Sequence, residues 1–121
     1  MKNAVGAMTL FVSDKDHAGE FYARVFAVPP LFEDETSVAF RFENVVVNLV
    51  VEPEELIEPA PVGSGTTAMY TLFVDDCAVA VELLRSRGVD FLNGPVDRAW
   101  GVRTAAFADP DGHAWELAQQ L

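Results

Sequence analysis

The apolar and polar positions of the chain repeat one rhythm twice. The run Thr9-Leu10-Phe11-Val12-Ser13-Asp14 returns as Thr71-Leu72-Phe73-Val74-Asp75-Asp76, five of six residues identical at an offset of 62. Self-similarity at a fixed offset marks a repeated supersecondary unit. Behind each copy the apolar residues take helical spacing: Ala18, Phe21, Tyr22 and Val25 in the first, Val79, Ala80, Val81, Leu83 and Leu84 in the second. Asp14 and Asp16 open one predicted helix and Asp75 and Asp76 the other, where carboxylates cap free N–H groups and complement the helix dipole. Pro29-Pro30 closes the first helix, and Gly88, after Arg85 and Arg87, closes the second.

After each helix the period shortens to two or gives way to β-branched runs. Residues 38–42 and 45–51 read as a hairpin about Glu43-Asn44, and 102–108 and 113–119 as another about Asp109-Pro110-Asp111-Gly112. Short strands at Leu31-Phe32 and 89–92 complete the two units. The predicted fold is therefore α+β, a single domain of two βαβββ modules over 1–51 and 68–121. They are joined by a Pro-, Glu- and Gly-rich linker over 52–67 that suits an exposed, movable connector.

Composition narrows the class of partner. At 121 residues, half of them hydrophobic, the chain suits one cored domain. It has no apolar run of roughly 20 residues for a membrane span and no basic-then-apolar N-terminal layout, so a cytoplasmic protein is expected. A net charge of −11 opposes nucleic acid and favours cationic small molecules. Cys77, the only cysteine, allows no internal disulfide and reads as a helix-start or core residue.

The V-x-D ending of the first strand followed by Phe21-Tyr22, the second V-x-D at Val74 to Asp76, and the run Phe107-Ala-Asp-Pro-Asp-Gly-His-Ala-Trp-Glu-Leu117 together resemble the vicinal oxygen chelate superfamily. That superfamily includes glyoxalases, extradiol dioxygenases and bleomycin-resistance proteins. The resemblance implies curled sheets around a cavity, and a homodimer, sometimes with exchanged halves. It also implies a divalent metal held by His, His or Gln, and Glu on strand positions that fall here at Ala7, Asn48, Met69 and Glu116. Only Glu116 is a standard ligand, so no metal cofactor is expected. His17, at a helix start, and His113, after a turn, read as surface residues.

Strand side chains alternate faces, and Glu116 sets the parity. With Glu116 inward, Ala114, Ala118, Thr9, Phe11, Thr71, Phe73, Val46 and Val50 join it, while Trp115 and Leu117 pack under the helices. A four-residue turn at 109–112 sets Ala105 opposite Glu116 and sends Arg103 and Phe107 inward, and Arg41 falls beside Asn48. The expected ligand site is thus Phe11, Phe73, Phe107 and Trp100 as aromatic walls, with Asn48, Glu116, Arg41 and Arg103 as polar groups. Arg103 or Arg41 is the available partner for the Glu116 carboxylate.

The leading functional expectation is metal-independent binding of a small molecule, planar or cationic, of the bleomycin-resistance type. The alternative is a lyase, isomerase or dioxygenase with Glu116 as general base and Arg103 holding a substrate anion.

Overall fold

The computed structural model describes residues 3, 5–51 and 69–121, so the expected linker over 52–67 lies outside the described residues. The chain divides into two compact units, Met1–Gly65 and Thr66–Leu121. The first holds β1 (Ala7–Phe11), α1 (Lys15–Phe26), β2 (Phe32–Glu33), β3 (Ser37–Arg41) and β4 (Val46–Val50). The second holds β5 (Met69–Phe73), α2 (Cys77–Ser86), β6 (Phe91–Asp97), β7 (Val102–Ala108) and β8 (Ala114–Gln120). Each unit is one βαβββ module with a four-stranded sheet, ordered β1-β4-β3-β2 in the first and β5-β8-β7-β6 in the second. The outer strands β1 and β5 pair in parallel with β4 and β8, and all other pairs are antiparallel.

The acidic residues ahead of the helices act as caps. Asp14 accepts from the His17 backbone N–H and Asp76 from that of Val79, each at 3.0 Å. α1 stops at Ala27, whose φ of 54° leaves the helical region just ahead of Pro29-Pro30. Ala18, Phe21, Tyr22 and Val25 are its buried stripe, facing Leu10, Val38, Phe40, Val47 and Leu49 of the sheet. In the second unit Cys77, Val81 and Leu84 of α2 pack against Ala105, Phe107, Trp115 and Leu117. Cys77 is both the first residue of α2 and fully buried, and burial pushes its thiol pKa up. Each sheet thus has one face under its helix and an opposite face free of it.

Three elements depart from the sequence expectation. β2 lies one residue later than predicted, and β6 runs over seven residues to Asp97 where a short strand at 89–92 was expected. Gly94 interrupts its alternation. At φ +85° it passes so close to β7 that a Cβ there would overlap the Thr104 carbonyl oxygen and lie 2.7 Å from the Ala105 Cα.

The third departure changes the picture of the site. The hairpin between β7 and β8 turns through Asp109-Pro110-Asp111-Gly112-His113, with the Asp109 N–H donating to the His113 carbonyl at 2.9 Å and Ala108 opposite Ala114. Pro110 suits the second place of a type I turn, and Gly112 follows at φ +88°, which makes a three-residue loop with one residue more than the tight turn implied. Asp109 fastens it by accepting from the Asp111 and His113 backbone N–H groups at 2.9 and 2.8 Å. His113, expected at the surface, is buried, whereas His17 is exposed as expected.

Candidate functional site

One residue of slip in a hairpin moves every side chain of a strand to the other face. The observed register pairs Ala106 with Glu116, Thr104 with Ala118, Phe107 with Trp115 and Arg103 with Gln119. Phe107 and Arg103 therefore lie on the face under α2 and not beside Glu116, which corrects the expected parity. Phe107 is fully buried, its ring edge-on to Phe91 at 5.6 Å. Arg103 binds Asp97 through two hydrogen bonds of 2.6 and 3.1 Å, which holds the Asp97 carboxyl below its ordinary range. Arg103, one of the two arginines expected to partner Glu116, is thus engaged elsewhere. Glu116 instead accepts from the Thr71 hydroxyl at 3.1 Å.

The helix-free face of the second sheet carries Met69, Thr71 and Phe73 on β5, Ala114, Glu116 and Ala118 on β8, and Thr104, Ala106 and Ala108 on β7. Around Glu116 the side chains are small, alanines and two threonines, while Phe73 stands 73% exposed. At the ends of β5 and β8 this face opens into a cleft of about 340 Å³ lined by Phe73, Val74, Asp75, Ala118 and Gln120. Trp100, 72% exposed, sits in the turn joining β6 to β7, where the Arg98 N–H donates to the Val102 carbonyl at 2.8 Å.

The helix-free face of the first sheet repeats the plan with different chemistry. Thr9 pairs with Asn48 as Thr71 pairs with Glu116, and the Asn48 amide donates to the Thr9 hydroxyl at 3.5 Å. Phe11 lies opposite Val50, and Arg41 lies opposite Val46 on the Asn48 face, both as expected. The two-residue turn over Glu43-Asn44 carries no extra residue, since Phe42 N–H donates to the Val45 carbonyl at 2.9 Å, so the parity reasoning holds there.

Sequence reasoning missed Arg98. Its Nε donates to the Thr104 hydroxyl at 3.0 Å, which places it on the Glu116 face. The signal was the Pro110-Asp111-Gly112 turn, which, counted as a three-residue loop, sends Thr104 to that face.

The glyoxalase/bleomycin resistance protein/dioxygenase superfamily profile matches residues 4–117, nearly the whole chain. The chain belongs to that family. Solved structures agree on the fold. A glyoxalase/bleomycin resistance protein/dioxygenase from Nocardioides is 25% identical, with a TM-score of 0.87 over 100% of this chain and 85% of that one. A superfamily member from Sphaerobacter thermophilus is 27% identical, with a TM-score of 0.78 over 99% of each chain. A glyoxalase-related enzyme from Fulvimarina pelagi, 24% identical, superposes at 0.83 over 98% of this chain and 89% of that one, a likeness of fold.

The metal chemistry associated with this family does not suit the residues present. Ala7 and Met69 offer no imidazole or carboxylate, Asn48 is a neutral amide, and among the described residues no cluster of three His, Cys, Asp or Glu side chains is suited to an ion.

Proposed function

We propose that this family member is a metal-independent small-molecule binding protein of the bleomycin-resistance type, working in the cytoplasm, whose ligand rests on the Glu116 face of the second sheet. The observation that carries the reading is the donor set. Of the four positions where relatives would place metal ligands, Glu116 alone keeps a carboxylate, and it is tied to Thr71 in a bed of alanines. A carboxylate in apolar surroundings attracts a cation or hydrogen-bond donor, and Phe73 offers an aromatic surface at the edge of the cleft. The acidic net charge supports a cationic or planar ligand. The enzymatic alternative loses the arginine expected to hold its substrate anion, because Arg103 lies on the other face with Asp97, and it would need Arg98 in that place.

Titration with proflavine, a planar cation, tests the reading. Binding is expected to be unchanged by EDTA and weakened about tenfold by Glu116→Gln. Binding that requires added zinc, nickel or manganese, or that ignores the Glu116 substitution, overturns it.

A further inference from the structure

The Glu116 face carries charges of both signs, and they are not spent on each other. Arg98 makes one side-chain hydrogen bond among the described residues, from Nε to Thr104, which leaves the four terminal N–H groups of its guanidinium uncommitted there. The Glu116 carboxylate takes the Thr71 hydroxyl on Oε1 and forms no ion pair among the described residues. The register fixes how the two groups stand. Thr104, the anchor of Arg98, pairs with Ala118, and Ala106 pairs with Glu116, so the anchor is the diagonal neighbour of Glu116 across β7 and β8. Diagonal neighbours in an antiparallel pair are about 7–8 Å apart, within reach of long side chains, so the guanidinium held at Thr104 and the Glu116 carboxylate stand near enough for one small molecule to engage both. Between them the floor is the methyl groups of Ala106 and Ala118, and Ala118 also lines the cleft beside Phe73.

We propose that Arg98 and Glu116 form a two-point clamp, making the preferred ligand of this face a flat molecule with a cationic or donor group at one end and an anionic group at the other. The inference rests on the binding function proposed above and adds its ligand class. A simple cation satisfies Glu116 alone, whereas a zwitterion of matching length also engages the guanidinium, whose planar fork suits a carboxylate. The alanine floor admits a ring lying flat, since no larger side chain stands between the charged ends. Arg98 then acts as the specificity residue for the anionic end.

The test compares three probes by calorimetric or NMR titration of the full chain: benzylamine, benzoate and para-aminomethylbenzoate, which carries both charged groups on one ring. The expected order places the zwitterion at least about tenfold tighter than benzylamine. Arg98→Gln should erase that advantage without weakening benzylamine, whose ammonium loses a like charge nearby, Arg98→Lys should restore part of it, and Glu116→Gln should weaken both amines. Thr104→Val keeps the arginine but removes its anchor, and should cost the zwitterion alone. Benzylamine binding that depends on Glu116, with no gain for the zwitterion or a gain that survives Arg98→Gln, overturns the clamp and leaves the binding function standing. Failure of all three probes to bind overturns the clamp, and failure of proflavine with them overturns the binding function too.

Discussion

Asn48 and Glu116 hold the same place in the two repeats, each beside a threonine of the parallel neighbour strand, yet one is neutral and the other ionisable. This charge asymmetry is the ground on which the proposed ligand is assigned to the second sheet. Trp100 belongs to the same residue-scale question. Its exposure means that Trp100→Ala should shift the melting temperature little, while affinity for a planar probe falls if the indole covers the ligand. Loss of stability with full affinity would make it a packing residue. A second residue-scale prediction concerns acid. Asp34 accepts from the Thr36 and Ser37 backbone N–H groups and from the Ser37 hydroxyl at 3.0, 2.8 and 2.9 Å. The Thr36 N–H, with the Ser37 hydroxyl next, lowers its pKa from the ordinary 3.8. A carboxyl whose folded pKa is depressed contributes stability above its unfolded pKa and loses it as pH falls through the folded one. Urea midpoints of the wild type and Asp34→Ala should therefore differ by a constant amount near neutrality and converge below pH 3.8. A gap that persists unchanged in acid would show that the carboxylate charge is not what holds this turn.

The β7–β8 hairpin carries the consequence at the scale of the element. The left-handed place at Gly112 adds the residue that swaps Phe107 and Arg103 for Thr104 and Ala106 on the Glu116 face. Alanine at φ +88° costs about 1–2 kcal/mol, so Gly112→Ala should lower stability by that amount in a denaturant titration. Phe107 tests the face assignment directly. As a fully buried core ring, its truncation to alanine should destabilise the fold by about 3–5 kcal/mol. Phe107→Ala that stays stable but loses ligand would instead put the ring in the site. Beside this hairpin, β6 keeps its course because Gly94 lets the backbone pass against Thr104 and Ala105, where a side chain has no room.

For the molecule as a whole, the donor set predicts that protein purified without chelator carries no stoichiometric zinc, nickel, iron or manganese by elemental analysis. About one ion per chain, lost on Glu116→Ala, would contradict this and return metal chemistry to the site. β1 and β5 each pair on one side only within their sheets, and unpaired edges favour association. A homodimer is the expected state, and sedimentation showing a monomer at micromolar concentration would refute it.

Sequence spacing alone determined the repeat, both helices with their Asp14 and Asp76 caps, both hairpins and the equivalence of Asn48 and Glu116 in the two modules, while the family showed as a resemblance of motifs. These rest on interactions between residues near in the chain: i to i+3 caps, period-two alternation and turn residues. The length of β6, the burial of His113, the pairing of Arg103 with Asp97 and the presence of Arg98 on the Glu116 face came only with the tertiary structure. The physical reason is register. A face is assigned by which residues stand opposite across a hairpin, and that count depends on the backbone conformation of a single turn residue. Once Gly112 takes the left-handed region, one added residue in the loop carries the whole of β7 to its other side.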